Sequence, residues 1–120
     1  MIKVSLTTKE DAVFYKLRAT GHAGFAKAGS DIVCAAFSVL TINFINSVET
    51  LTDDKIKYDS NEGFLEFEFA EGISPESDLL SRSYLLGIRE LEKEYGSRYI
   101  KIQSKEVKWY VKDEPSIICS

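Results

Sequence analysis

The sequence predicts an α+β fold with the element order ββαββαβ, in which a mixed or antiparallel sheet packs with two helices. Three observations carry this prediction, and the first two are that apolar residues alternate with polar ones in several short segments and recur at helical spacing in two longer ones. The third is the length, because 120 residues with 44% hydrophobic and 28% charged content suit a single globular domain over residues 1–120.

Five segments are predicted to be strands, most of them because apolar and polar side chains alternate along the chain. The segment 55–59 is instead short and charged, which is typical of an edge strand. The five segments are residues 2–7, 13–19, 55–59, 64–69 and 98–106. Turn-forming residues at 9–11 and 60–63 predict that the first two strands form one hairpin and the middle two another.

Two helices are predicted between the strands. Residues 31–51 contain no glycine or proline and are apolar on most sides, which predicts a central, buried helix with Ser30 or Asp31 as its N-cap. The second helix is predicted to open at Pro75 and to end before Gly96. Its apolar stripe consists of Leu80, Tyr84, Ile88, Leu91 and Tyr95.

The composition argues against several classes of function. A net charge of −4 is unfavourable for binding phosphates, so we expect no direct nucleic-acid partner. Two cysteines and one histidine cannot fill a four-ligand zinc cage, so we expect no metal. The N-terminus has no apolar leader, and the apolar stretch 32–45 is too short to span a bilayer. We therefore expect a cytoplasmic protein without a membrane partner.

One pair of residues suggests nucleophilic chemistry. His22 lies in a glycine-rich segment, residues 21–30, and Cys34 follows in the predicted first turn of the buried helix. The N–H groups and dipole at a helix N-terminus favour a thiolate, and an imidazole could take its proton. The same N–H groups at 32–34 could stabilise an oxyanion. The alternative is structural, because a cysteine on an apolar helix is usually a core residue and a histidine in a surface loop is usually solvated.

Five further residues could support such a site. Asp31 could cap the helix, orient His22 or contact substrate, although an unpaired carboxylate so near Cys34 would oppose its ionisation. Ser38 could bond back to the carbonyl four residues earlier or help to fix the site. The glycines of the loop would let a substrate approach the backbone closely. They are Gly21, Gly24 and Gly29.

The segment 21–38, GHAGFAKAGSDIVCAAFS, resembles the signature of the bacterial ribosomal-processing cysteine proteases, the Prp family. That signature is a GHAG-like loop followed by G-x-DIVCAA-x-S, and Asp31 and Ser38 match positions within it. The resemblance implies a cysteine endopeptidase with Cys34 as nucleophile and His22 as base.

The resemblance also implies a substrate, an oligomeric state and a loop motion. The substrate is a large-subunit ribosomal protein, number twenty-seven, from which an N-terminal extension is removed before or during ribosome assembly. The family resemblance further implies a homodimer, no metal or organic cofactor, and a flexible loop over residues 21–30 that orders around the substrate.

Two other functions remain open from the residues themselves. A non-enzymatic binding module for ribosome assembly would use the acidic charge to dock on a basic ribosomal protein. A redox sensor would use Cys34 as its reactive thiol and form a reversible sulfenic acid without proteolysis.

Overall fold

The computed structural model describes residues 1–9, 13–21 and 27–107, and it confirms the α+β fold and the predicted element order. The aromatic residues Trp109 and Tyr110, which follow the last strand in the sequence, lie outside the described residues. The strands are β1 (Ile2–Lys9), β2 (Lys16–Thr20), β3 (Ile56–Asn61), β4 (Phe64–Phe69) and β5 (Ile100–Val107). The helices are α1 (Lys27–Leu51) and α2 (Pro75–Tyr95).

The five strands form one mixed sheet with the order β3-β4-β2-β1-β5. Neighbouring strands are antiparallel, as both predicted hairpins require, except that β1 pairs with β5 in parallel. The parallel pair joins the first and the fifth strand in chain order, with Ile2 opposite Ile100 and Lys9 opposite Val107. Strand β3 lies at one edge of the sheet, as its charge pattern predicts.

One face of the sheet carries the core. The buried strand residues alternate with outward ones and all belong to the face on which α1 and α2 pack. Four aromatic rings interlock there, with Phe44 stacked on Tyr84 at a centroid distance of 4.9 Å and Phe14 edge-on to Phe67 at 6.1 Å. Such offset and edge-to-face contacts add to the burial that stabilises the core.

The predicted alternation over residues 13–19 is wrong in its first half, since β2 begins only at Lys16. Phe14 is fully buried, although strict alternation over residues 13–19 would place it on the outward side with Lys16 and Arg18. The Tyr15 N–H donates to the Thr7 carbonyl at 2.9 Å, one residue out of the register in which Thr7 opposes Lys16. This irregular bond lets the chain bend before the strand, and the bend turns Phe14 into the core.

Helix α1 begins at Lys27, four residues earlier than predicted, so neither Ser30 nor Asp31 is its N-cap. Lysine and alanine at 27 and 28 are strong helix formers, and a glycine at 29 costs only about 1 kcal/mol relative to alanine. These helix-forming residues therefore outweigh the capping tendency of Ser30 and Asp31, and both residues lie inside the helix.

The same helix is also longer than its predicted apolar stretch. Residues Ile32–Leu51 are long and apolar enough to cross a membrane by length and composition, which the predicted stretch 32–45 is not. In the fold, Val33, Phe37 and Val48 of this helix are buried against the sheet and α2. Part of its apolar content therefore forms the core.

Helix α2 starts and ends where its sequence signals predict. The Ser74 hydroxyl accepts from the Ser77 N–H at 3.2 Å, and Pro75 occupies the first turn, where a missing N–H costs nothing. Gly96, with φ of 99°, ends the helix, and its N–H donates to the Glu92 carbonyl at 2.9 Å. Asp54 holds the cap in place by accepting from both the Ser74 N–H and its hydroxyl.

Candidate active site

A groove of about 370 Å³ opens between α1 and the β3–β4 hairpin. It lies on the helix-covered side of the sheet, and its lining includes Ala19 of β2 and Leu65 of β4. Three residues predicted to form the site, Gly21, Cys34 and Ser38, line this one groove. The structure thus brings together, in a single concave surface, residues that are 17 positions apart in the chain.

Cys34 lies on the wall of the groove and is half-buried. Its neighbours Val33 and Phe37 are buried in the core, which fixes the helix against the sheet and leaves the face that carries Cys34 at the groove. The purely structural interpretation of Cys34 as a core residue is therefore incomplete, because the side chain borders an open surface as well as the core.

The prediction that Cys34 lies in the first helical turn is wrong. With α1 starting at Lys27, Cys34 is the eighth residue of the helix. The N–H groups without an intrahelical partner are then those of about the first four residues, 27–30. The amides of 32–34 are engaged within the helix, so they cannot receive an oxyanion as predicted. Other described donors that line the groove are the side chains of Ser38, Ser60 and Asn61.

Ser38 follows Cys34 by one helical turn, and its side chain is exposed at the groove. Thr41 of the same helix donates to the carbonyl four residues earlier, that of Phe37, at 2.7 Å. The Ser38 hydroxyl makes no such bond within the described part of the chain. Of its two predicted roles, the back-bonded one is therefore not observed, and the hydroxyl is available to a ligand.

Gly21 ends β2 at the rim of the groove. Its φ of 92° is in the region that favours glycine, and a Cβ there would clash with the carbonyl oxygen of Met1. The Gly21 N–H donates to the Gly63 carbonyl at 2.9 Å, which ties this position to the turn of the β3–β4 hairpin. The chain therefore leaves the sheet towards His22 from the rim of the groove.

Other predicted site residues are placed differently or lie outside the described part. His22 and Gly24 are outside the described residues, as is the side chain of Asp31, whose backbone is in the second turn of α1. Gly29 was predicted to belong to the loop, but it lies in the first turn of α1. Residues 27–30 of the predicted loop 21–30 therefore belong to α1.

The β3–β4 hairpin supplies a wall of the groove that the sequence patterns do not assign to the site. Tyr58, 47% exposed, faces the groove together with the half-exposed Ile42 of α1, and Glu62 lies at the hairpin turn. The turn signal at 60–63 predicts the hairpin but contains no information about which helix it approaches. The groove therefore has an apolar part near Tyr58 and a polar, acidic part at the turn.

No group of three or more histidine, cysteine, aspartate or glutamate side chains gathers as a metal site among the residues that the structure describes. The chemistry available in the groove is that of a thiol, hydroxyls, an amide and a carboxylate. A thiol is the strongest nucleophile of this set once it is ionised.

Sequence comparison identifies relatives of the chain. The family model described as Cysteine protease Prp matches residues 1–101. A Bacillus subtilis (strain 168) protein named Ribosomal processing cysteine protease Prp is 30% identical over 101 residues, covering 79% of this chain and 90% of that protein.

Solved structures with the same fold include two peptide complexes. An essential ribosomal processing protease Prp from S. aureus, in complex with a covalently linked product peptide, matches with a TM-score of 0.80 and 24% identity over 88% of this chain and 100% of that one. The same protease with a substrate peptide matches at 0.78 and 23% over 88% and 100%. SMU.848 from Streptococcus mutans matches at 0.77 and 26% over 89% and 96%.

Proposed function

Because the chain belongs to the Prp family of cysteine proteases, we propose that it removes the N-terminal extension of large-subunit ribosomal protein number twenty-seven during ribosome assembly. The observation that carries the proposal is the position of Cys34 on the wall of an open groove. A volume of about 370 Å³ is within the usual range of ligand sites, so the groove has room for side chains of a bound peptide.

The proposed mechanism uses Cys34 as nucleophile and His22 as general base. His22 takes the thiol proton, and the thiolate attacks the scissile carbonyl to form a C–S bond. The imidazolium then gives its proton to the leaving amine as the C–N bond breaks. A water molecule, deprotonated by His22, hydrolyses the thioester and restores the thiol. His22 enters from the family motif, and the position of Gly21 at the rim of the groove supports its proximity.

The groove suits an extended peptide with an apolar side chain beside the scissile bond. Ile42, Tyr58 and Leu65 line the same groove as Cys34, and burying an apolar side chain against them stabilises the complex by about 25 cal/mol per Å² removed from water. Ser38 is proposed as a hydrogen-bonding residue for the substrate backbone or the oxyanion. Asp31, a motif position, is proposed to support the site from α1.

The identity of the substrate is supported by the relatives and by charge. The B. subtilis relative carries ribosomal processing in its name, and the S. aureus protease has been crystallised with a substrate peptide. A net charge of −4 favours association with a basic protein. A cytoplasmic location follows from the same proposal, since ribosomal proteins are made and assembled there.

A homodimer is part of the proposal. On its outer face α1 leaves Ile32 half exposed and Val39 66% exposed, seven residues apart, which is the spacing of a helix-to-helix contact. Burial of these side chains against a second copy would remove them from water. Light scattering should therefore give twice the monomer mass, and Val39→Glu should shift the population to monomer.

The decisive experiment is cleavage of a peptide that spans the extension junction, followed by mass spectrometry. The unaltered chain should yield two products, whereas Cys34→Ala, Cys34→Ser and His22→Ala should each reduce the rate by at least about 10³-fold. Cys119→Ser is the matched control, since Cys119 is the other cysteine of the chain, and its rate should be unchanged.

Two outcomes would reject the proposal. Full activity of Cys34→Ala would exclude the thiolate mechanism. Binding of the intact ribosomal protein without any shortened product would instead establish the alternative, a non-enzymatic module for ribosome assembly.

A further inference from the structure

The face of the sheet opposite the helices carries a cluster of basic and hydrogen-bonding side chains, which we call the basic grid. It lies on three adjacent strands, β2, β1 and β5, at the positions that alternate with the buried ones. The register places its members in three rows, namely Thr20–Lys3–Lys101, Arg18–Ser5–Gln103 and Lys16–Thr7–Lys105. Every position of the grid is therefore a cation, a hydroxyl or an amide.

The spacing of the grid follows from sheet geometry. Neighbouring strands are about 4.8 Å apart, and positions two residues apart along a strand are separated by about 6.6 Å. Lys3 and Lys101 are direct cross-strand partners, so two ammonium groups start from adjacent strands. Like charges that face each other in this way destabilise a sheet unless an anion neutralises them.

On the open face the basic residues are concentrated on β2, β1 and β5, whereas Glu66 and Glu68 lie on β4, opposite Arg18 and Lys16. The chain contains 15 basic and 19 acidic residues, yet five of the basic residues and none of the acidic ones lie in the grid. Glu66 on the neighbouring strand β4 pairs with Lys16 at 3.5 Å and with Arg18 at 3.8 Å. Within the described part of the chain, Lys3, Lys101 and Lys105 have no carboxylate partner. These three side chains extend a positive surface towards the β5 edge.

An aromatic ring borders the grid. Phe64 is the cross-strand partner of Thr20, and the Arg18 guanidinium carbon lies 5.3 Å from the centroid of its ring. Phe64 is only partly buried, because it points away from the helices. A partly exposed ring beside cations is an arrangement on which nucleic-acid bases stack.

From these observations we infer that the basic grid binds RNA through its phosphate backbone. Lysine and arginine neutralise phosphates, while serine, threonine and glutamine donate hydrogen bonds to phosphate oxygens, and the grid contains both kinds. The ring of Phe64 beside Arg18 favours a nucleic acid over an acidic protein segment, because bases stack on such a ring whereas carboxylates do not. The net charge predicts no nucleic-acid partner, but attraction depends on the local potential of a surface, and the potential here is positive.

This binding site is separate from the candidate active site. The nine positions of the grid lie on the open face of the sheet, whereas the groove with Cys34 lies on the face covered by the helices, and Phe64 at the start of β4 borders both. A bound RNA would therefore leave the groove accessible to a peptide. The inference goes beyond the proposed protease function and can fail independently of it.

The test measures fluorescence anisotropy of a short labelled single-stranded oligouridylate with the full chain, over a range of salt concentrations. The triple variant Lys3→Gln/Lys101→Gln/Lys105→Gln should bind at least about tenfold more weakly at low salt. Since each phosphate contact contributes about 0.7 to the slope of log K against log salt, the slope should fall by about 2.

The matched control removes three exposed cations that lie off the grid, Lys55→Gln/Arg89→Gln/Lys93→Gln. It changes the net charge by the same amount and should alter the affinity by less than about twofold. Thermal unfolding of both variants should match that of the unaltered chain, because surface substitutions of this kind change stability by at most about 0.5 kcal/mol each.

Three results would overturn the inference: no binding at low salt, equal weakening by the control variant, or equally effective competition by polyglutamate. The last result would indicate an acidic protein as the partner of this face. A chain that cleaves its peptide but binds no RNA would reject this inference alone. A chain that binds RNA but leaves the peptide intact would reject only the protease proposal.

Discussion

The two faces of the single sheet are built from alternate residues of the same strands, yet they differ in chemistry and in role. The covered face is apolar, with Phe67 of β4 packed against Phe44 of α1, and the groove with Cys34 opens at its margin. The open face is charged, with Lys3 and Lys101 side by side in water. A shift of register by one residue would exchange the two faces, so the pairing of the strands determines both.

The covered face contributes most of the stability, and the open face is the one proposed to bind RNA. Apolar burial stabilises the covered face in proportion to area, and tight packing makes each ring there sensitive to change. Exposed charges contribute little to stability, because water and salt screen them. Substitutions on the two faces should therefore separate cleanly, with loss of folding on one and loss of binding on the other.

The largest effect on folding should come from the aromatic cluster. Phe44→Ala removes a ring that contacts Phe14, Phe67, Phe69 and Tyr84, and the cavity left behind should lower the free energy of unfolding by about 3–5 kcal/mol. Urea unfolding measures the change. The comparison variant Gln103→Ala, on the open face, should cost no more than about 0.5 kcal/mol. Equal losses in the two variants would contradict the contrast between the faces.

The next largest loss of unfolding free energy should come from the buried hydroxyl pair Thr41 of α1 and Tyr84 of α2. Thr41 donates to the Phe37 carbonyl, so the Tyr84 hydroxyl donates to Thr41 at 2.8 Å. Burial raises the pKa of Tyr84 despite this hydrogen bond, so the phenol stays neutral. Thr41→Val leaves a buried phenol without that partner and should cost about 1–3 kcal/mol of unfolding free energy.

Tyr84→Phe provides the matched comparison for the same pair. Thr41 keeps the Phe37 carbonyl in this variant, so the cost should be only about 1 kcal/mol. The double variant should lose less than the two single losses together, since the second substitution removes a group that has already lost its partner. Strictly additive losses in urea unfolding would show that the two hydroxyls do not interact.

A smaller change in the free energy of unfolding should appear at acid pH, and it should come from Asp54 beside the start of α2. Burial alone would raise the pKa of Asp54, but hydrogen bonds from Ser77 and Ser74 outweigh it and hold the pKa below its ordinary value of 3.8. The carboxylate therefore stabilises the fold at neutral pH, and this contribution is lost as the pH falls through 3.8 and below.

Asp54→Asn tests this dependence. At pH 7 it should lower the free energy of unfolding by about 1 kcal/mol, and the difference from the unaltered chain should shrink well below pH 3.8. Asp59→Asn, at an exposed position of β3, is the control and should change little at any pH. A difference for Asp54→Asn that stays constant from neutral to acid pH would contradict the assignment.

The smallest effect should come from the ion pair of the open face. Lys16→Gln removes a partner of Glu66 at 3.5 Å, but both side chains are partly exposed and Arg18 remains close. The loss should be below about 1 kcal/mol, and it should vanish in high salt because the pair is screened. A loss of several kcal/mol that persists in salt would mean that the open face contributes to folding as the covered face does.

The two helices show how far local signals reach. The ends of α2 are predictable because Ser74, Pro75 and Gly96 act on their own neighbours. The start of α1 is not, since Ser30 and Asp31 imitate an N-cap while the helix begins at Lys27. The misplaced start also changes the candidate site, because it moves Cys34 out of the first turn and engages the amides that were expected to bind an oxyanion.

The candidate site was partly predictable as well. Cys34 and Ser38 are one helical turn apart, so a shared face follows from helical spacing alone, and the groove confirms it. The contribution of Tyr58 and Glu62 to the groove was not predictable, because a hairpin signal indicates which strands pair and not which helix they approach. His22 stays a prediction from the family motif, since it lies outside the described residues.

The order of the elements, both hairpins and the ends of α2 were predictable from the residues alone, as was the motif that contains His22 and Cys34. Each of these depends on residues that are close along the chain, where spacing and turn chemistry act directly. The position of β1 between β2 and β5 was not predictable, because pairing between strands far apart along the chain leaves no local pattern in the sequence. That pairing brings Lys3 beside Lys101, and it turns an acidic chain into one with a positive face.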